Sequence, residues 1–373
     1  MQKLPFTVKL ASWLIIAVLG TIILIYTKDF LMPIIIAVLL SFLLYPVYKR
    51  LLKWKVPGAL SVVITLLLVI IILVSVIFLV SKEITGMLSD LSGLSSKINY
   101  KFNMFQQYVA VHLQVDNVTF SNFIAGAKEK LLGYTSTFVS GTIAGTTNVM
   151  SFLVLIIVYV FCFLFYNKAF KSFAFALLEA ERQHQASSLI NEIQKLVQNY
   201  LLGLLTVIFI IGALNTIGLL IIGIDHPLFF AFLVAMLTVI PYVGITIGAL
   251  ITAFYALLTK DTVLPAVAVM LVLFTVQFLE SNLITPRIVG KRVSVNPFVA
   301  IVALLIGQQI WGIPGMILSI PLTAILKVLL DVYPSTQAIG YFVGSELTDD
   351  KNDPKKHLHP FHSDKEEKPK KGI

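Results

Sequence analysis

The chain has 373 residues, 58% of them hydrophobic and only 13% charged, with a formal net charge of +9. Soluble domains carry about 25% charged and under ~50% apolar residues, so a water-soluble globular fold is excluded. The basic excess clusters beside apolar runs and in the tail, which fits a membrane surface and excludes nucleic acid as the partner.

Runs 10–27, 30–48, 56–81, 131–167, 196–224, 227–259, 262–279 and 293–326 carry no charge. A spanning helix needs roughly 20 apolar residues, so these runs predict an all-α, polytopic transmembrane protein with about 8 spanning helices. In chain order, span one is 10–26. Lys3 and Lys9 precede it as in a signal peptide, but no small-residue cleavage site follows, so the span is retained. Lys28 and Asp29 mark a tight turn. Span two is 30–48, with Pro33 in its first turn, where a missing N–H does least harm. Span three is 56–80 and closes an N-terminal three-span unit, 1–80.

Residues 81–148 form an external amphipathic segment. Ile84, Met87, Leu88, Leu91, Leu94, Ile98 and Phe102 recur at helical spacing, so span three is expected to run on as an amphipathic helix. Phe120, Phe123, Ile124 and Leu131 suggest a second. One-sided apolar faces outside the bilayer must pack on something, which implies a homo-oligomer or the membrane surface. Residues 149–199 hold span four, within 149–166, and a cytoplasmic amphipathic stretch with Leu189, Ile190, Ile193, Leu196 and Val197 on one face. Cys162 lies inside an apolar run and can form no intrachain disulfide.

Span five is 200–224 and opens a C-terminal unit, 200–335. Mid-span Asn215 and Thr216 are of the kind that holds helices together, with contact to a substrate as the alternative. Asp225 and His226 read as a loop cap, with a proton relay as the alternative. Two segments then depart from simple spans. Run 227–259 is interrupted at Pro241, Tyr242, Val243 and Gly244, and run 297–327 at Gly312, Ile313, Pro314 and Gly315. Asp225 and Lys260 flank the first on one side, and Arg292 and Lys327 flank the second on the other. Two hairpins are therefore expected, entering from opposite faces, either re-entrant or fully spanning. Gly/Pro-broken segments of this kind point to a transport site.

Span eight, 262–279, ends in the densest polar group near the bilayer: Gln277, Glu280, Asn282, Arg287 and Lys291, with Asn296 just beyond. Glu280 at a membrane boundary needs a partner, and Arg287 or Lys291 is the expected one. Pro286 disfavours helical geometry at Thr285, so the span is expected to end before it. The alternative reading of this group is an interfacial salt-bridge knot that only holds the loop.

Orientation follows from Lys and Arg in the short loops. Lys3, Lys9, Lys49, Arg50, Lys53, Lys55, Arg287, Lys291 and Arg292 fall on one side, against Lys28 and Lys260 on the other. Both termini are thus expected in the cytoplasm. The tail, 336–373, is charged and expected to be disordered. Its His357, His359 and His362 are read as solvated, not as a metal site. No G-x-x-x-x-G-K-[ST] loop occurs, so ATP drive within the chain is not expected, nor are a cofactor or an enzymatic activity.

The run from Glu280 to Pro297 (ESNLITPRIVGKRVSVNP) resembles the signature of the autoinducer-2 exporter (AI-2E) family. So do the run Gly307–Pro321 (GQQIWGIPGMILSIP) and Ile240-Pro-Tyr-Val-Gly244, and the resemblance covers roughly residues 10–335 in order. It implies an oligomeric bacterial inner-membrane transporter with cytoplasmic termini, exporting a small hydrophilic signal of the autoinducer-2 type. Some members are linked instead to sodium or proton exchange. Three functions are carried forward: a secondary exporter working by alternating access, a cation/proton antiporter using Glu280, and a non-transporting oligomeric scaffold.

Overall fold

The computed structural model describes residues 5–113, 126, 151–176, 183–240, 243–289, 295–332 and 336–344. The expected helix around 120–131, hairpin residues Pro241 and Tyr242, Lys291 and the tail histidines lie outside these residues. The apolar runs become helices because backbone in lipid must satisfy its own polar groups. They are α1 (Phe6–Tyr26), α2 (Lys28–Lys53), α3 (Gly58–Leu113), α4 (Ser151–Phe165), α5 (Asn167–Ala176), α6 (Gln183–Ile222), α7 (Pro227–Leu237), α8 (Val243–Thr259), α9 (Leu264–Leu279), α10 (Thr285–Ile288), α11 (Pro297–Val332) and α12 (Gln337–Val343). One π-helical turn, Glu280–Ile284, joins α9 to α10.

Among the described residues, five stretches are long and apolar enough to cross a membrane: Lys28–Lys53, Gly58–Glu83, Ser187–Ile222, Leu264–Ile288 and Pro297–Val332. α4 with the start of α5, bent by 69°, makes a sixth if the pair is one broken span. Leu68, Ile71, Ile72, Val74, Phe78 and Leu79 of α3 are all exposed on the chain. Such a run is a liability in water and is solvated by lipid. The polytopic, all-helical class read from composition is the observed one.

Three boundaries differ from the expected ones. Only Thr27 separates α1 from α2, so Lys28 and Asp29 are the first turn of α2, not the joint. An acidic residue there complements the helix dipole. The amphipathic stretch before span five and the span itself are one 40-residue helix, α6. Gly203 lies inside it, where its missing side chain admits Val289 and Ile288. α3 runs 56 residues, roughly 84 Å at 1.5 Å per residue. The expected continuation of span three is thus an unbroken helix that outruns any bilayer.

Contacts divide the chain into two compact units. One comprises the described residues of Met1–Leu43, Lys168–Gly203 and Pro286–Ile373. Leu39 of α2, Val197 of α6 and Leu318 of α11 form its apolar centre. Pro46 has no N–H to give the carbonyl four residues before it. That carbonyl, Phe42 O, accepts instead from Gln198 Nε2 at 2.7 Å. Gln198→Leu leaves it orphaned, and we expect a loss of about 1–3 kcal/mol, read as a lower midpoint of thermal unfolding in detergent.

α11 is itself a hairpin. Gly312 has φ 64° and ψ −142°, a conformation open essentially to glycine. Nothing lies within 4 Å of a Cβ built there, so Gly312→Ala is penalised by backbone strain alone, about 1–3 kcal/mol in the same unfolding assay. The arms touch through Gly307 and Gly315, whose backbones leave no room for a Cβ on either. Asn296 N donates to Val343 O at 2.8 Å, beside a Val295–Gly344 bridge. The start of the first arm therefore lies against α12, which follows the second arm. At the tip, Trp311 Nε1 donates to Leu24 O at 2.9 Å, capping a carbonyl in the last turn of α1. Trp311 also packs in the cluster that holds Met32, near the head of α2. The hairpin leaves and returns at one end, and its tip reaches the shared end of α1 and α2.

The other unit comprises the described residues of Leu44–Asn167 and Leu204–Thr285. Its core is Leu219, Phe230, Val234, Ala249, Ala256, Val269 and Leu273. Small residues let these helices approach closely, as membrane packing favours. A Cβ on Gly212 would lie 2.8 Å from the Phe232 ring, and one on Gly218 would overlap Val272. α7 and α8 form the first hairpin, closed where Gly244 meets Leu237 O and Gly248 meets Val234. Asp225 and Lys260 pair at 3.0 Å, so this hairpin also returns to its starting end.

Candidate functional site

Gln277, Glu280 and Ser281, three and four residues apart, share a side of the helix that α9 continues. Thr285 N bonds to Glu280 O, five residues back. That spacing defines a π turn, a feature that recurs at functional sites. Thr285 was expected to end the helix. Its φ of −61° and ψ of −44° are helical, and the helix continues to Ile288. Thr285 thus keeps helical dihedrals in spite of the restriction that a following proline imposes. Pro286 itself falls in the first turn of α10, where a missing N–H matters least.

Within this turn the Glu280 carboxylate collects three neutral donors. Oε2 accepts from Gln277 Nε2 at 2.5 Å and from Ser281 Oγ at 2.9 Å, and Oε1 accepts from Thr285 Oγ1. The sequence pointed to a cation as partner, whereas the described contacts are hydroxyls and an amide from the same segment. The Gln277 amide is thereby oriented, and its buried Oε1 has no partner among the described residues.

Depth follows from length. α8 and α9 have 17 and 16 residues and pack together across a short joint at 260–263. An antiparallel pair of equal length sets Val243 and Gly244, at the break of the first hairpin, level with Leu279 and Glu280. The broken hairpin and the carboxylate are thus at one depth, a coincidence the sequence did not show.

The remaining candidates have other surroundings. Asn282 Nδ2 donates to Phe278 O of its own helix at 2.8 Å. Arg287 is exposed on α10 and belongs to the first-described unit. Asn296 Oδ1 accepts from Phe298 N at 3.0 Å, the bond of a helix N-cap at the head of α11. Gly312, Pro314 and Gly315 form the turn of the second hairpin, and Gly244 closes the first.

Sequence reasoning missed Glu83. Its Oε2 lies 2.6 Å from His226 Nδ1, and Gly86 leaves room for the ring. His226 holds the position before α7 with φ 57° but makes no side-chain cap, so the loop-cap reading of His226 is replaced by this pairing. Residues 143 apart leave no local pattern to find. In the first-described unit, Glu192, Lys195, Lys327 and Asp331 line a cleft. Lys327 and Asp331 pair there at 2.7 Å.

The family model described as AI-2E family transporter matches residues 14–335. The chain is 28% identical to "Putative transport protein YrrI" of Bacillus subtilis (strain 168), over 81% of this chain and 86% of that protein. It is 27% identical to a "Putative transport protein" of Borreliella burgdorferi, over 84% of each. It is 24% identical to "Putative permease PerM" of Escherichia coli (strain K12), over 87% of this chain and 93% of that one.

Proposed function

We propose, for a chain that belongs to the AI-2E family of transporters, the work of a secondary transporter that moves a small hydrophilic solute by alternating access. That it is a multi-pass membrane transporter follows from its family and its spans. The finer reading rests on one observation: Glu280, held by neutral donors in a π turn, lies level with the break of the first hairpin. An ionisable residue at the end of an apolar spanning helix is costly and is by default a candidate functional group. A broken helix beside it exposes backbone groups that only protein or a water-lined cavity tolerates.

Glu280 then acts as the gating or coupling charge, Gln277 orients it, and Arg287 and Lys291 are the cations that follow it in sequence. Asn282 and Asn296 shape the polar end. The direction we favour is export of an autoinducer-2-like solute across the bacterial inner membrane. Both termini lie in the cytoplasm, and the protein works as a homo-oligomer.

A second reading is a cation/proton antiporter. It is favoured by the same carboxylate, whose hydroxyl and amide partners allow a proton to come and go without breaking an ion pair. Proteoliposomes separate the readings. Flux of a labelled hydrophilic solute that ignores a sodium gradient supports the exporter. Sodium-dependent proton flux without solute flux supports the antiporter. No flux of either kind from a stable assembly defeats both and leaves the scaffold.

A further inference from the structure

The cleft between α6 and α11 lies where both helices leave the bilayer. It holds about 270 Å³, below the roughly 300–1,000 Å³ of pockets for drug-sized ligands, so it suits a small group. Lys195 immediately precedes the charge-free run 196–224, and Lys327 immediately follows the run 293–326. From Lys195 to Ile222, α6 rises roughly 40 Å at 1.5 Å per residue. A bilayer with its headgroup regions is about 40–45 Å thick. The two lysines therefore stand at headgroup level.

The lining is layered along the membrane normal. Leu196, Ala324 and Val328 give it an apolar wall, and the lysines come next. Glu192 lies three residues before Lys195 on a helix entering the bilayer. Asp331 lies four residues after Lys327 on a helix leaving it. At 1.5 Å per residue the carboxylates are set about 4.5–6 Å farther out than the lysines. Asp331 is held in place. Its Oδ2 accepts from Lys327 Nζ at 2.7 Å, and Gln337 Nε2 donates to its backbone carbonyl at 3.3 Å. Its Oδ1 occupies the space that a side chain at Gly340 would take. The Lys327 side chain is only 13% exposed.

We propose that this cleft binds the headgroup of a membrane lipid that carries a phosphate and, beyond it, a primary ammonium: a phosphoethanolamine lipid. The order of groups in such a lipid is the order of the wall, from apolar chain to phosphate to ammonium. The phosphate meets Lys195 and Lys327. An ammonium has three donors, so Lys327 keeps Asp331 while it binds phosphate. The lipid's own ammonium meets Glu192 and Asp331. Two lysines and two carboxylates sum to no net charge, and a purely anionic head would bring its charge against both carboxylates without an ammonium to offset it. A quaternary ammonium has no N–H to give a carboxylate and is recognised by aromatic rings. The described lining holds no ring. The competing account is two ion pairs that snorkel to the surface and select no lipid. The site goes beyond the transport reading and does not depend on it, since it shares no residue with the Glu280 group.

The test is lipid selectivity. The full chain in detergent, stripped of lipid, is titrated with phosphatidylethanolamine, phosphatidylglycerol or phosphatidylcholine of the same acyl chains. Bound lipid is counted by native mass spectrometry, and the melting temperature is read in parallel. We expect the ethanolamine lipid to be retained and to bind about tenfold or more tightly than the other two, the effect of one charge-assisted hydrogen bond. Lys195→Gln is expected to weaken its binding by about tenfold. Glu192→Gln is expected to erase the preference over phosphatidylglycerol while phosphate binding remains. Both residues are exposed, so both variants are expected to melt as the parent does without lipid. Equal retention of the three lipids by the parent overturns the proposal. So does parental selectivity in both variants. Phosphoethanolamine without acyl chains forms the last arm. A response at the concentrations that suffice for the lipid would make the occupant a soluble ligand and overturn the lipid assignment.

Discussion

Glu280→Gln lowers solute or proton flux in proteoliposomes by about 10- to 100-fold while the purified chain still folds. What the substitution removes is the charge and the strengthening it gives to the bonds it accepts. Hydrogen bonds to a charged group contribute about 1.5–3 kcal/mol, and 1.4 kcal/mol is a factor of ten. Three donors converge on this carboxylate, from Gln277, Ser281 and Thr285. Glutamine keeps the size but sets an NH2 group against at least one of them. The Ser281 and Thr285 hydroxyls can rotate to accept, so the fold tolerates the change, whereas the charge is gone. Comparing flux against thermal unfolding of the same preparation separates the two effects. Flux at the parental level excludes Glu280 as a coupling group under either transport reading. A conservative partner change, Thr285→Val, removes one donor and keeps the charge, so it is expected to give a smaller loss than Glu280→Gln.

Gly315→Ala separates the arms of the second hairpin and lowers stability by about 1–3 kcal/mol or more, the range for overpacking a closely fitted site. A Cβ at Gly315 overlaps the Gly307 carbonyl and lies 2.7 Å from its carbon. Both obstacles are backbone, so no rotamer change relieves them. Gly307→Ala meets Gly315 in the same way, with the carbonyl carbon at 2.8 Å. Because one separation relieves both, the double variant is expected to cost less than the sum of the singles. Gly20→Ala is the control, since nothing lies within 4 Å of its Cβ. The measurement is the thermal unfolding midpoint in detergent. A Gly315→Ala midpoint equal to that of Gly20→Ala would show that the arms do not touch in the membrane.

Parts of the candidate site were legible because their signal is local. Gln277 and Glu280 stand out as polar residues at the end of an apolar run, and the hairpins announce themselves through Gly244, Gly312, Pro314 and Gly315. The end of span eight lies beyond the expected one because the pre-proline rule is a bias and not a prohibition, and Thr285 is helical in spite of Pro286. A π turn widens the helix, and no composition signal marks one. The partners of Glu280 were sought among cations because charge is visible in a sequence, whereas the reach of a Thr hydroxyl five residues on is not.

What the amino-acid sequence by itself determined is the solvent and the secondary structure. Charge-free runs of sufficient length can be stable only in lipid, and lipid forces their backbones into helices. The glycines and prolines placed the breaks, since those depend on the conformational freedom of single residues. Tertiary structure alone decided which groups meet. The Gln198 amide answers the carbonyl freed by Pro46, Trp311 caps the end of α1, and Glu83 pairs with His226 across 143 positions. It alone also decided which groups meet nothing. Asn215 reads in the sequence as an ordinary polar residue holding helices together. Only the tertiary structure buries it to 1% exposure and leaves its oxygen without a donor among the described residues. Whether a hydrogen bond is satisfied is a property of neighbours brought together in space, and no local pattern encodes it.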